Sequence, residues 1–374
     1  MVSGLRHCCL SILILLVSIV FVSGCSPTEP PSWIEYVSCS PVTADIVFVA
    51  CAEGRIHAQV WVVGANSEVT RPQLLLQSWI VGGVPAWRND GRMLAVSGGE
   101  PGAQALWLLP VGTPGKRIRL AKGGNIFDPN WSADGTRLVW GRWTEKRGER
   151  LEIIRLADRT MTPLETSVEP GFPQWSPTGR WISFFGSRRE GQMASVRGLY
   201  VISPDGTQEK RVDSRPIIHR VWVRPDVILY AHRAKPAAEC AFWEVNVNTG
   251  HRLELFRTGD LPKWIGGGRF GTNWVRLSPY SALLVATNKR PRRGLRSNPV
   301  SEGDIYRVDL DGKKVRRLTG GGRDGTPCWS GDGSRIVFVR GGKSIWVMNA
   351  DGSGQKKILD VSVLSVTGTN RGVN

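Results

Sequence analysis

One phrase recurs along this chain and limits what it can become: an apolar anchor, a tight turn of Asp, Asn and Gly, then two short apolar runs. The clearest copies read Pro129-Asn130-Trp131-Ser132-Ala133-Asp134-Gly135, Pro173-Gln174-Trp175-Ser176-Pro177-Thr178-Gly179 and Pro327-Cys328-Trp329-Ser330-Gly331-Asp332-Gly333. A fourth runs from Pro85 through Trp87 to Gly91, and weaker copies are anchored at Cys39, Trp222 and Trp274. Successive anchors are 44–55 residues apart, the length of a four-stranded unit that buries its faces only against copies of itself. The expected fold class is all-β, a β-propeller of four-stranded blades. The anchors give seven blades, with six as the alternative because the Cys39 copy is the weakest.

Within the last unit, Asp332-Gly333 supplies the positive φ a tight hairpin turn requires. Residues 335–340 (Arg-Ile-Val-Phe-Val-Arg) have the β-branched and aromatic content of a second strand. Ser344 to Asn349 makes a third strand, Ala350-Asp351-Gly352 turns again, and Gln355 to Leu359 closes the edge. The third-strand phrase returns as Leu199-Tyr200-Val201-Ile202 and Ile305-Tyr306-Arg307-Val308. A W-S-x-D-G anchor followed by I-Y/W-V-x-x-x-D-G resembles the TolB-type, WD-repeat-like propeller family over residues 36–360. The resemblance implies architecture before activity, because such propellers serve as interaction modules, as halves of serine peptidases and as polysaccharide-processing enzymes. TolB joins its propeller to a globular N-terminal domain; here the first repeat begins about a dozen residues after Cys25, which implies a free-standing propeller.

The N-terminus reads as a lipoprotein signal over residues 1–24. Arg6 and His7 precede an apolar run from Leu10 to Val22, too short to span a bilayer, and Val22-Ser23-Gly24-Cys25 reads as a lipobox. Lipid attachment is expected at Cys25, followed by a Pro/Ser-rich tether over residues 25–35. This places the protein on a membrane of a bacterial cell envelope, facing the periplasm or the exterior. Residues 361–374 are a tail or a closure strand. Cys39, Cys51, Cys240 and Cys328 remain in the mature chain. Cys39 and Cys328 belong to the first and last units, neighbours in a closed ring, where a disulfide and a pair of small buried hydrophobes are both open readings.

Charge is the other informative feature. Forty-nine Lys and Arg stand against 32 Asp and Glu, a net charge of +17, so anionic partners are favoured. In a propeller the connections between second and third strands emerge on one face. Those expected over Gly141 to Arg150, Gly186 to Gly198, His232 to Ala241 and Asn288 to Asp304 are rich in arginine. The candidate binding residues are Arg142, Trp143, Arg147, Arg188, Arg189, Arg290, Arg292, Arg293 and Arg296, with Lys146 and Arg150 in the same stretch. Arginine suits bidentate contact with carboxylates and phosphates.

The sequence has no Gly-x-Ser-x-Gly elbow and no room after residue 360 for a hydrolase domain, which argues against a peptidase. His-Glu-x-x-His and the phosphate-binding Gly-x-x-x-x-Gly-Lys-Ser/Thr are likewise missing, and no cofactor is expected. No nucleic-acid module is visible, so the expected partner is an envelope protein or an anionic polymer. The chain also resembles propeller-fold oligouronide lyases. That resemblance implies histidines holding a metal, for which His57, His219 and His232 are the candidates, and gives the alternative function. Most of the 16 tryptophans are anchors or third-strand residues; Trp143 in a basic loop and Trp264 in a connection stand outside that scheme.

Overall fold

The structure is a computed structural model describing residues 31–51, 58–64, 71–78, 80–100, 102–113, 115–190, 193–233, 240–260, 270–277, 281–286, 303–309 and 314–364. Cys25, His57, Trp264, Arg290, Arg292, Arg293 and Arg296 lie outside them, and for Arg188 and Arg189 only the backbone is described. Apart from two short 3-10 turns, the regular elements are strands.

The strands form consecutive antiparallel sheets. Six have four strands in plain chain order, from inner to outer edge; the first is Trp33–Cys39, Asp45–Cys51, Ala58–Gly64 and Gln73–Ser78. The second sheet differs in its inner strand, which is divided into Ile80–Val81 and Ala86–Trp87, both paired with Met93–Gly99. Gly83 sits in the break with φ 115°, a backbone conformation that favours glycine.

Side chains on successive residues of a strand point to opposite faces, and here both faces are buried. In the first sheet Val47 and Val49 pack towards the second sheet, with Trp87, Leu94 and Val96, while Ile46, Phe48 and Ala50 pack towards the seventh, with Val337, Val339 and Ile345. The same arrangement joins each sheet to the next, through clusters such as Leu138 and Trp140 against Leu106 and Leu108, or Tyr306 and Val308 against Phe242 and Phe256. Burying each Val, Ile or Phe contributes about 1.5–3 kcal/mol, so interlocked side chains hold the ring, aided by isolated backbone bonds between sheets such as Asp128 N–H to the Gly82 carbonyl at 3.1 Å.

The anchors have a second task. The indole N–H of Trp87 donates to the Ser38 carbonyl at 3.3 Å, Trp131 to Ala86 at 3.0 Å, and Trp222 to Gln174 at 3.3 Å. Each bond reaches back to the residue just before the previous sheet's anchor, so the repeated tryptophan both fills the wedge between sheets and sets their spacing. Trp61, Trp107, Trp243 and Trp346 all lie in third strands, each directly after a register shift against the outer strand.

Ring closure involves both ends of the described chain. Trp33, inside the stretch expected as tether, opens the inner strand of the first sheet. The first and last sheets meet face to face: Ile34 N–H donates to the Gly342 carbonyl at 2.7 Å, and Val361 and Leu364 pack into the shared cluster. No strand is exchanged among the described residues. The approach is closest at Gly331, where a Cβ would fall 1.9 Å from the Pro41 carbonyl oxygen.

Two expected loops are strands. Arg137–Thr144 pairs with Gly148–Arg155 through to Thr144↔Gly148, and Ile182–Glu190 pairs with Met193–Ile202. Gly141 and Gly186 look like breakers in the sequence, but each makes room for an aromatic ring: a Cβ at Gly141 would lie 2.0 Å from the Phe127 ring and one at Gly186 2.5 Å from that of Tyr200. The third and fourth sheets thus extend into hairpin arms on the face where the second and third strands connect.

Candidate functional site

The tip of the third-sheet arm is Glu145-Lys146-Arg147, all exposed. Arg147 N–H donates to the Thr144 carbonyl at 3.3 Å, and Gly148 closes the turn with φ 67°. Below the tip, Arg142 and Arg150 face each other across the two strands, a placement that is unfavourable for like charges. Glu152 resolves it. One carboxylate oxygen accepts from Arg142 Nε at 2.7 Å, and the other accepts from Arg150 at 2.6 and 2.8 Å. Arg142 also donates to the carbonyls of Lys122 and Gly123, both at 2.8 Å, tying the arm to the outer strand of the second sheet.

Arg142, expected as a binding residue, is instead engaged within the arm. It is 8% exposed, and its Nε and Nη1 donors are engaged within the protein, so it positions the arm. A shallow hollow of about 370 Å³ lies over it, lined also by Arg119, Lys122 and Met161.

Between the arm and the second sheet is a larger cleft of about 570 Å³, lined by Gly102, Gly124, Trp143, Thr144, Glu145, Lys146, Arg147 and Arg150. Gly124 lets the backbones close up, since a Cβ there would fall 2.5 Å from the Trp143 carbonyl oxygen. Asn125 accepts from Gly102 N–H at 2.8 Å and fixes the opposite wall. The cleft thus offers one aromatic ring and three cationic side chains, of which Arg150 is already paired with Glu152 and Lys146 and Arg147 stand beside Glu145. Cations beside an aromatic face suit a planar or ring-bearing anion. Trp143 and Arg147 from the expected set come together here, joined by Lys146 and Arg150.

A second polar cluster lies between the fourth and fifth sheets. Burial by itself would raise the Asp213 carboxyl, but Arg215, at 3.0 Å from both carboxylate oxygens, and the Tyr230 hydroxyl at 2.6 Å hold it down at about 2. Arg215 stacks over Trp243 at 4.3 Å and donates to His232 Nε2 at 3.0 Å. His232 is buried in this network, and His219 lies on the adjacent inner strand, opposite Ala231. A guanidinium donating to His232 is a poor neighbour for a metal cation. Among the described residues no three His, Cys, Asp or Glu side chains converge as metal ligands. His219 and His232 therefore do not fit the metal-holding role the lyase resemblance implies.

In the ring's interior, burial pushes the Asp128 carboxyl up to about 7, against the pull of the Arg220 guanidinium. Arg220 donates to Ser183 Oγ at 2.8 Å and to carbonyl oxygens of the fourth sheet, which makes it a brace between inner strands. Glu152, Gly102 and Asn125 escaped the sequence reading. The signal for Glu152 was its place two residues after Arg150, on the same side of the strand.

No family model matches the chain, and no curated protein matches it. Solved structures are similar in fold. The tricorn protease structure has a TM-score of 0.60 at 11% identity, covering 88% of this chain and 34% of that one, so the chain spans about a third of that protease's length. The β-propeller domain of the Trilobed protease from Pyrococcus furiosus, described as having an open velcro topology, has a TM-score of 0.60 at 12% identity, covering 88% of this chain and 99% of that one. An oligogalacturonate lyase in complex with manganese gives 0.59 at 14% identity, covering 84% and 88%. TolB from Acinetobacter baumannii is also similar, at 16% identity over 89% of this chain and 64% of that one, but its TM-score of 0.43 is too low to argue from. These likenesses establish the propeller fold alone.

Proposed function

We propose that this protein is a TolB-like binding module, held by lipid at Cys25 to a bacterial envelope membrane, that takes an anionic protein or polymer on its hairpin face. The observation that supports this reading is the cleft of about 570 Å³ in which Lys146 and Arg147 gather beside Trp143 and Glu145, with Arg150 held in its wall by Glu152. Lys146 and Arg147 stand exposed at the arm tip, so their charge is available to a ligand. The arginines at 188, 189, 290, 292, 293 and 296 belong to the same face in this proposal and extend the positive field beyond the cleft.

The test titrates the full-length protein with two fluorescent probes, polygalacturonate and poly-glutamate, at low and physiological salt. Saturable binding of at least one probe is expected. It should weaken about tenfold or more in the Lys146→Glu/Arg147→Glu variant and fall steeply with added salt. Failure to bind either probe, or equal binding by the variant, overturns the reading. Growth of unsaturated-uronate absorbance during incubation with polygalacturonate replaces it with the lyase.

A further inference from the structure

The closing seam departs from the others in chemistry. At three other seams an anchor's indole N–H reaches the carbonyl of the residue before the preceding anchor: Ser38, Ala86 or Gln174. The first sheet's anchor is Cys39, and the residue before the last sheet's anchor is Cys328. The same geometry therefore brings two thiols together where other seams have an indole and a carbonyl. Cys39 and Cys328 are both half-buried and free, both pack against the cluster shared by the first and last sheets, and they lie near enough for Cys328 to shift the Cys39 thiol. The frame around them is rigid. Each lies at the end of a paired inner strand, opposite Ile46 and Val337 respectively, and Gly331 presses against Pro41 a few residues away. The other described cysteines are placed differently: Cys51 donates to the Glu35 carboxylate at 3.2 Å, and Cys240 is fully buried in the fifth sheet.

We propose that Cys39 and Cys328 form a disulfide-forming site that staples the ring shut when a disulfide-type oxidant is present. One cysteine, as thiolate, attacks a sulfur of an oxidised dithiol such as glutathione disulfide. A mixed disulfide forms and one glutathione leaves as thiolate. The second cysteine then attacks the protein sulfur of that mixed disulfide, the Cys39–Cys328 bond forms, and the second glutathione departs. Two electrons and two protons pass from the pair to the oxidant, which is reduced to two thiols. The neighbouring Cys328 thiol, followed by burial, holds the Cys39 thiol well above its usual range, so closure is slow near neutrality and quickens as pH rises. The bond would span nearly the whole ring, and long loops are where a crosslink most restricts the unfolded chain.

The test compares the purified full-length protein after glutathione disulfide with the same protein after dithiothreitol. Peptide mapping should find Cys39 and Cys328 in one linked species, two hydrogens lighter than the separate peptides. The oxidised protein should melt about 5 °C or more above the reduced one, reversibly. Cys39→Ser should lose both effects and Cys51→Ser should keep them. Glutathione retained on either cysteine, linkage of either to a different cysteine, or a link that leaves the melting temperature unchanged each overturns the proposal. The main comparison uses one unmutated chain, so it stands even where a variant folds poorly.

Discussion

The two faces of the ring treat charge in opposite ways. On the face of the Asp-Gly turns, each acid is satisfied within its own turn. Asp134 accepts from Ser132 and from Thr136 N–H, and Asp332 from Ser330 and Ser334, which with the Ser334 N–H bond hold its carboxyl at about 2. On the hairpin face the acids instead pin arginines: Glu152 holds Arg142 and Arg150, Asp213 holds Arg215, Asp304 holds Arg317, and Asp324 holds Arg340. Formal charge and available charge are therefore different quantities here. Among the described residues, several arginines on that face serve as internal bracing, while Lys146 and Arg147 stand exposed at the arm tip.

The strongest way to break this contrast is Glu152→Ala. It leaves Arg142 buried and opposed to Arg150, so a loss of about 3–5 kcal/mol is expected in urea unfolding. A loss below about 1 kcal/mol would mean that Glu152 is not the brace.

Acid titration sharpens it next. Asp213 is buried and held at about 2, below the ordinary value near 4 of an unfolded chain. Its stabilisation is complete above about pH 4 and disappears as pH falls from there towards 2, amounting to about 2 kcal/mol. Stability measured between pH 5 and 2 should fall less steeply in Asp213→Asn than in the parent.

The smallest effect belongs to the turn face. Asp332→Ala removes bonds that water replaces, so it should cost less than about 1 kcal/mol. Arg147→Ala, at the tip, should stay within about 0.5 kcal/mol. Thermal melts of the two variants beside Glu152→Ala test the ranking directly.

How much of this was legible in the sequence follows from its physical cause. Anchors and turns recur because every sheet meets the same packing problem, so Trp131 and Asp134-Gly135 reveal themselves by repetition. The anchors' hydrogen bonds to the preceding sheet were hidden, because they join residues more than forty positions apart. The arms were misread at Gly141 and Gly186, where glycine accommodates the rings of Phe127 and Tyr200 instead of ending a strand. Arg142 looked like a contact because a count of charges does not show which of them Glu152 neutralises. The cleft itself depends on Gly124 lying against the Trp143 backbone, an approach between adjacent sheets that no local motif marks.

Among the described residues each sheet is built from one consecutive stretch, with no strand traded between first and last, and this has a consequence for synthesis. As the chain emerges, each new sheet finds its predecessor waiting, but the Ile46, Phe48 and Ala50 side of the first stays wet until the last arrives. A chain cut short before Asp324 would carry two unmatched apolar sides, one at each end, shaped to receive the same kind of neighbour. Such fragments should add head to tail without limit, so premature termination would leave filaments instead of smaller soluble rings.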